Sequence, residues 1–293
     1  MLKALENWLL YHPIRSSRSW HEPPAALQVE DVELTTREGV CIHAWWTAPE
    51  GWDPSRGAML YCHGNAGNVS ARGEHLAAWH EWMDTAVLIF DYPGYGRSAG
   101  RPSEAGCYAA ADAAYDWMTA SGRVPASRMI VLGRSLGAGV AVELARRRPI
   151  GALVLYSPFT SFPDLAQEKC RWPPTRRLVR NRFDNLGKIG GIRAHVFIAH
   201  GTADTLAPAR HGERLHAAAP APKRFLPLPG RGHNGGFCED FYLSLHAFLE
   251  DTGKDRRALC GALLAYNLRP LRVVRRRPRK RIHFFLDRLL PPE

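Results

Sequence analysis

The residues that most constrain this chain are 133–137, Gly-Arg-Ser-Leu-Gly, which lie between two segments of different character. The preceding run, 128–132, is apolar and short enough for a buried strand, and the following run, 136–148, has a helical composition. A Gly-x-Ser-x-Gly pentapeptide between a strand and a helix predicts a very tight turn that projects the hydroxyl of Ser135 above the edge of a sheet. The same pentapeptide also arises by chance in glycine-rich loops, so the prediction depends on its strand-turn-helix context.

Segments of strand and helix character alternate along most of the chain. The predicted strands are 27–36 and 41–47, which form a hairpin, then 58–62, 86–90, 128–132, 152–156, 194–199 and 224–228. The predicted helices are 70–83, 104–120, 136–148, 209–219 and 239–249. Most of these strands are continuous apolar runs, which is typical of strands covered on both faces. The pattern predicts an α/β fold, with a mostly parallel central sheet of about eight strands and helices on both faces.

The 293 residues divide into three expected parts. Residues 1–26 are an amphipathic segment and connector, 27–253 are the main domain with a small cap at about 159–193, and 254–293 are a basic C-terminal extension. Six scattered cysteines without a Cys-x-x-Cys pair favour buried thiols in a reducing compartment, so we expect a cytoplasmic protein without a structural metal. We find neither a signal peptide nor an apolar run of the roughly 18 residues that a membrane span requires.

The C-terminal extension carries most of the net charge. It contains 12 of the 39 Lys and Arg residues and three of the 28 Asp and Glu residues, so nine of the eleven net positive charges lie there. A basic run followed by Phe284, Phe285 and Leu286 fits an anionic membrane surface, and we expect peripheral association through residues 269–290. Nucleic acid is a weaker fit for this run, and an extension that folds back on the domain is the alternative.

A serine hydroxyl needs a base, and 13 histidines are available in the chain. In a parallel sheet the functional site lies beyond the carboxyl ends of the strands, so position selects among them. His233 follows the last predicted strand within a Gly-rich loop and is the expected base. His63 and His200 also end strands, but each precedes a glycine at the strand-to-loop turn, which favours a packing role.

Asp204 is the expected acid because it is the carboxylate in the loop after strand 194–199, and Asp91 is the rival. The order Ser135, Asp204, His233 is the order expected on this architecture. A tetrahedral intermediate also needs donors for its oxyanion. The Leu136 amide at the start of a helix and the Asn65 amide in the loop after strand 58–62 are the candidates.

Together these residues resemble the α/β-hydrolase superfamily over roughly residues 27–250. The similar segments are His63-Gly-Asn-Ala-Gly-Asn68, Asp91-Tyr-Pro-Gly-Tyr-Gly-Arg-Ser98, Gly133-Arg-Ser-Leu-Gly137, Ser157-Pro-Phe-Thr-Ser161, Asp204 with Pro208, and Gly232-His-Asn234. The branch they resemble contains small serine hydrolases described as serine aminopeptidase-like, lysophospholipase-like or depalmitoylase-like. The resemblance implies a triad of Ser135, Asp204 and His233, with Asn65 and Leu136 as the oxyanion donors.

The segment after the sixth strand determines specificity in this superfamily. Here it contains Phe159, Phe162 and Trp172 beside several arginines, and we expect these three aromatic residues to contact an acyl chain. The sequence therefore predicts a hydrolase that cleaves carboxylic esters or thioesters through an acyl-enzyme on Ser135, without a metal or organic cofactor. A peptidase acting on small peptides is one alternative. A non-catalytic binding protein that uses its basic extension is the other.

Overall fold

The computed structural model describes residues 6–7, 10–120, 123–169 and 179–252. The strands are β1 (His12–Pro13), β2 (Val29–Thr35), β3 (Cys41–Thr47), β4 (Ala58–Cys62), β5 (Ala66–Gly67), β6 (Ala86–Phe90), β7 (Met129–Arg134), β8 (Ala152–Tyr156), β9 (His195–Gly201) and β10 (Lys223–Leu228). The α-helices are α1 (Gly73–Met83), α2 (Glu104–Thr119), α3 (Leu136–Arg147), α4 (Phe162–Lys169), α5 (Asn185–Ile189), α6 (Arg210–Ala218) and α7 (Glu239–Thr252).

Eight strands form one sheet in the order β10-β9-β8-β7-β4-β6-β3-β2. The six strands from β10 to β6 pair in parallel, whereas β3 pairs antiparallel with both β6 and β2. The predicted eight-stranded, mostly parallel sheet is therefore confirmed, with its antiparallel hairpin at one edge. The parallel connections bring the C-terminal ends of β4, β7, β9 and β10 to the same edge of the sheet.

Two hydrophobic cores lie on opposite faces of this sheet. Successive side chains of a strand point to opposite faces, so Leu60 lies in the core shared with α2, α3 and α6, whereas Tyr61 lies in the core shared with α1 and α7. Every residue of β4, β6 and β8 is buried. Burial on both faces explains why these strands appear in the sequence as unbroken apolar runs.

The strands and helices match their predicted positions with small shifts at the ends. The predicted helix 70–83 begins later, because Val69–Arg72 is a 3-10 turn capped by the side chain of Asn68, and α1 starts at Gly73. In the segment after β8 the structure describes α4, residues 179–184 and α5. Trp172 and the basic extension lie outside the described residues. No helix in the described parts of the chain is long and apolar enough to cross a bilayer.

A separate two-stranded sheet ties the N-terminal segment to the domain. β1 pairs in parallel with β5, which lies in the loop after β4. A bridge between Arg15 and Gly96 continues this contact to the loop after β6. Tyr11 is 2% exposed and packs in the same core as α2 and α3. The N-terminal segment is thereby held against two of the loops at the C-terminal edge of the sheet.

Candidate active site

Ser135 occupies a strained turn between β7 and α3. Its φ angle is 52°, a left-handed backbone conformation that residues with a side chain rarely adopt. The flanking glycines are required by contact: a Cβ on Gly137 would lie 1.9 Å from the carbonyl oxygen of Cys62, and one on Gly133 would lie 2.5 Å from the carbonyl oxygen of Gly137. The tight turn expected from the sequence is therefore present, and it raises the Ser135 side chain above the end of β7.

Three polar side chains from three different loops meet at this edge of the sheet. The Nε2 atom of His233 lies 2.8 Å from Oγ of Ser135, and its Nδ1 atom lies 2.7 Å from Oδ2 of Asp204. A carboxylate only accepts hydrogen bonds, so Nδ1 carries the proton toward Asp204 and Nε2 is left to accept the serine proton. This is the arrangement that general-base activation of a serine requires.

Asp204 is held as a carboxylate in a buried position. Its side chain is fully buried, and Oδ1 accepts hydrogen bonds from the backbone N–H groups of Leu206 at 2.9 Å and Ala207 at 2.8 Å. Burial alone would raise the pKa of Asp204, but the hydrogen bonds from His200, His233 and the Ala207 amide lower it well below its usual range. The negative charge that orients the imidazole of His233 is therefore stable at neutral pH.

His200 is a second histidine at Asp204, and the sequence did not single it out for this position. Its Nε2 atom lies 3.3 Å from Oδ2 of Asp204 and 2.7 Å from the carbonyl oxygen of Ala207. A carbonyl only accepts, so Nε2 carries the proton and places positive character next to the carboxylate. The spacing of four residues between His200 and Asp204 around the end of β9 is the signal that could have indicated this contact.

Aromatic packing holds the loop that carries His233. The ring of Phe237 lies 4.9 Å from that of Tyr156, 5.3 Å from that of His75 and 5.6 Å from that of Trp79, measured between centroids. These edge-to-face contacts join the loop to α1 and β8 in the core on the α7 side of the sheet. They restrict the positions that the loop can adopt over Ser135.

A polar contact links the same loop to the strand before the serine. Arg134 is 9% exposed, and its Nη2 atom donates to Oδ1 of Asn234 at 3.3 Å. Asn234 follows His233 in the chain. The residue that precedes the serine is thus connected to the residue that follows the histidine.

The two candidate oxyanion donors belong to the helix that follows Ser135 and to the loop after β4. Leu136 is the first residue of α3, so its N–H has no carbonyl within the helix to bond. Asn65 lies in the loop between β4 and β5, and this loop passes close to the serine: a Cβ on Gly64 would lie 3.8 Å from Cβ of Ser135. The helix dipole of α3 also favours negative charge at its N-terminus.

Asp91, the rival for the acid, occupies a different environment. It is completely buried, and Oδ1 accepts a hydrogen bond from the backbone N–H of Val69 at 2.9 Å. Its carboxylate oxygens lie 3.7 Å from ring nitrogens of His43 and His63. The imidazole of His233 contacts Asp204 instead. Burial opposes ionisation of Asp91, but the nearby ring nitrogens of His43 and His63, together with the Val69 N–H, lower its pKa net.

The aromatic residues expected to contact an acyl chain are buried where the structure describes them. Phe159 is 1% exposed and Phe162 is 8% exposed, and their rings stack at 4.6 Å with an interplanar angle of 5°. Phe183 packs against Phe162 at 5.0 Å, edge to face. These rings join the segment after β8 to the main core, so their contact with substrate stays a prediction.

Metal ligands are not gathered anywhere in the described ranges. No group of three or more His, Cys, Asp or Glu side chains within residues 6–7, 10–120, 123–169 and 179–252 is arranged to hold a metal ion. The histidines at the site contact carboxylates, a hydroxyl and a backbone carbonyl instead.

Comparisons with known proteins found a matching family model, similar sequences and similar folds. Residues 53–188 match the model of a family described as serine aminopeptidase, S33. An uncharacterized protein of Mycobacterium tuberculosis is 43% identical over 225 residues, covering 76% of this chain and 79% of that protein. The α/β-hydrolase domain-containing protein WAV2 of Arabidopsis thaliana is 30% identical over 286 residues, covering 88% of this chain and 91% of that protein. The crystal structure of the Pyrococcus furiosus esterase Pf2001 is similar in fold, with a TM-score of 0.66 at 20% identity, covering 83% of this chain and 98% of that one.

Proposed function

Because the chain belongs to the α/β-hydrolase superfamily, we propose that it is a serine hydrolase that cleaves carboxylic ester or thioester bonds. The observation that carries the proposal is the pair of hydrogen bonds that His233 makes: Nε2 accepts from Ser135 at 2.8 Å, and Nδ1 donates to Asp204 at 2.7 Å. Side chains from three separate loops meet in the geometry of general-base activation, which packing alone does not require.

In the first half of the reaction Ser135 attacks the acyl carbon. His233 Nε2 takes the proton of the attacking hydroxyl, while Asp204 accepts the Nδ1–H bond and stabilises the imidazolium that forms. The tetrahedral intermediate carries its negative charge on the former carbonyl oxygen. The intermediate collapses when His233 returns its proton to the departing alcohol or thiol, which leaves an acyl group on Ser135.

The second half of the reaction uses the same groups with water. His233 removes a proton from a water molecule, the hydroxide attacks the acyl carbon, and the proton passes to Oγ of Ser135 as the carboxylic acid leaves. One water is consumed, one acid is released, and the side chains return to their starting state. Neither half of this cycle requires a metal or organic cofactor.

The backbone N–H groups of Asn65 and Leu136 are the proposed oxyanion donors. Leu136 follows Ser135 directly and Asn65 follows Gly64, whose loop passes close to the serine, and a backbone N–H does not need to reorganise as a side chain would. Removing one such donor in a serine hydrolase costs about 10²–10³ in kcat, so two donors in these roles would supply a large part of the rate.

Ester and thioester cleavage is supported by the small size of the segment after β8 and by the esterase activity named for the structural neighbour. The family description, serine aminopeptidase, favours a peptidase as the second candidate. An aminopeptidase holds the charged amino terminus of its substrate, which requires acidic side chains near the serine. Within the described residues, the carboxylate at the site, Asp204, is already bonded to His233.

A panel of substrates distinguishes an esterase or thioesterase from a peptidase. The purified protein is assayed with p-nitrophenyl esters of increasing chain length, acyl-coenzyme A thioesters and aminoacyl p-nitroanilides, each beside the Ser135→Ala variant. We expect hydrolysis of esters or thioesters that disappears in the variant. Anilide hydrolysis with a higher kcat/KM than any ester would favour the peptidase. No turnover of any substrate by the wild-type protein would favour a binding protein on this fold.

A further inference from the structure

The side chain of Asn65 is held by three hydrogen bonds. Its Oδ1 atom accepts from the backbone N–H of His12 at 3.2 Å and from the hydroxyl of Tyr95 at 2.8 Å. Its Nδ2 atom donates to the carbonyl oxygen of Leu10 at 2.7 Å. A backbone N–H only donates and a backbone carbonyl only accepts. The His12 N–H and the Leu10 carbonyl therefore fix which end of the Asn65 amide is the oxygen and which is the nitrogen. The hydroxyl of Tyr95 must therefore be the donor in its bond to Asn65.

Tyr95 holds its hydroxyl at this contact from within the core. It is completely buried, and burial raises the pKa of its hydroxyl, so the hydroxyl remains a donor at any working pH. The ring packs edge to face with those of Tyr92 and His63, at centroid distances of 5.6 Å and 5.8 Å. A buried tyrosine hydroxyl requires a partner, and the structure gives it the oxygen of Asn65.

The segment around Tyr95 contacts the loop after β4 at three points. The hydroxyl of Tyr92 donates to the carbonyl oxygen of His63 at 2.8 Å, and Asp91 accepts from the backbone N–H of Val69. These contacts bracket Asn65 on both sides along the chain. The motif Asp91-Tyr-Pro-Gly-Tyr-Gly-Arg-Ser98, which the proposed reaction does not use, thus forms a support for this loop.

We propose that Tyr95 is a positioning residue for the oxyanion hole: its hydroxyl, together with Leu10 and His12 of the N-terminal segment, fixes the side chain of Asn65 and with it the orientation of the Asn65 backbone N–H. This inference rests on the proposed function. An oxyanion donor must lie about 2.7–3.1 Å from the developing charge, and a displacement of about 1 Å costs as much as 100-fold in rate. An asparagine whose side-chain amide is bonded on both ends cannot rotate its backbone freely.

The test compares Tyr95→Phe with the matched control Tyr115→Phe. The hydroxyl of Tyr115 also donates one hydrogen bond, to the carbonyl oxygen of Pro149 at 2.8 Å, but it lies at the C-terminal part of α2, away from the site. For the substrate that the wild-type protein turns over best, we expect Tyr95→Phe to lower kcat about tenfold with KM within about twofold. The control should keep wild-type values of both constants.

A second measurement separates positioning from a loss of stability. An alkyl boronic acid forms a tetrahedral adduct on a serine and places an oxygen in the oxyanion hole. Tyr95→Phe should weaken inhibition by this boronic acid by the same factor as it lowers kcat, because both depend on the oxyanion donors. The melting temperatures of both variants are measured alongside. The proposal is supported if Tyr95→Phe and Tyr115→Phe lose the same amount of melting temperature while only Tyr95→Phe loses kcat.

A double-mutant cycle keeps the proposal falsifiable if one variant is unstable. Asn65→Ala keeps the backbone N–H but removes the side-chain amide, so it should lower kcat at least as much as Tyr95→Phe. In the Asn65→Ala background, Tyr95→Phe should have no further effect, since its partner atom is gone. Additive losses, or a folded Asn65→Ala variant with wild-type kcat, overturn the positioning role. If the wild-type protein turns over no substrate, the proposed function and this inference are overturned together. If the wild-type protein is active and Tyr95→Phe has the same kcat, this inference alone is overturned.

Discussion

The Nε2 atom of His233 lies 2.8 Å from Oγ of Ser135, although 98 residues separate the two in the chain. The parallel sheet produces this contact, because β7 and β10 end at the same edge and their loops project from it. Packing of Phe237 against Tyr156 and Trp79 then fixes the loop that carries the histidine. The proposed general-base chemistry follows from this contact.

Asp204→Asn should lower kcat/KM by about 10⁴-fold, because the amide no longer favours the imidazole tautomer that leaves Nε2 free to accept the serine proton. Asp112→Asn is the matched control, since it neutralises a carboxylate that pairs with Arg147 on the helical surface. The control should keep wild-type activity. If Asp91→Asn abolished activity while Asp204→Asn retained it, the acid would be Asp91.

Acid should weaken the fold partly through Asp204. Hydrogen bonds lower its pKa in the folded state below the value of about 4 in an unfolded chain, so the unfolded state binds the proton first. The stabilisation is complete above about pH 4 and is lost as the pH falls from there toward the folded-state pKa. Urea unfolding from about pH 6 to about pH 3 should show the wild type approaching Asp204→Asn in stability. A difference independent of pH over this range would contradict this role for the carboxylate.

Gly137→Ala should remove both stability and activity. The new methyl carbon would lie 1.9 Å from the carbonyl oxygen of Cys62, so β4 and α3 must separate, and we expect a loss of about 3 kcal/mol or more in the free energy of unfolding. Gly190→Ala is the control, because the nearest atom to its methyl would be the carbonyl oxygen of Ala218 at an ordinary 3.6 Å. Chemical denaturation of both variants should show a change of less than about 1 kcal/mol for the control. A Gly137→Ala variant as stable as wild type would contradict the packing of the turn.

The basic extension should attach the protein to anionic membranes. Nine of the eleven net positive charges lie in residues 254–293, and each Lys or Arg near an anionic surface contributes about 1 kcal/mol at low salt. The full chain should sediment with vesicles containing phosphatidylserine but not with neutral phosphatidylcholine vesicles, and truncation after Gly253 should abolish sedimentation without loss of hydrolysis. An insoluble or inactive truncated protein would assign the extension to the fold instead.

The order of strands and helices was predictable because both faces of the sheet are buried. Such strands leave long apolar runs between turn residues, as in 58–62, 86–90 and 152–156, and the structure confirms each of these. The residues of the candidate site were predictable because each follows a strand at the same edge. The order of serine, acid and histidine along the chain then indicated Asp204 and His233 from the sequence alone.

Contacts between distant segments could not be predicted from the same patterns. Nothing in the periodicity indicates that Asn65 bonds to Leu10, His12 and Tyr95, because each of these residues fits equally well in an ordinary loop or turn. The burial of Phe159 and Phe162 is a second case. Aromatic residues beside a site can line a pocket or close a core, and composition does not distinguish the two.

Covalent labelling of Ser135 tests the central claim most directly. The wild-type protein and Ser135→Ala are incubated with a fluorophosphonate probe, digested, and analysed by mass spectrometry of the peptide that contains residues 133–137. The account predicts that wild type gains the phosphonyl mass on Ser135, that Ser135→Ala gains none, and that the variant retains the wild-type melting temperature. A folded Ser135→Ala variant that is labelled as fast as wild type, or a wild type labelled on another residue, would contradict it.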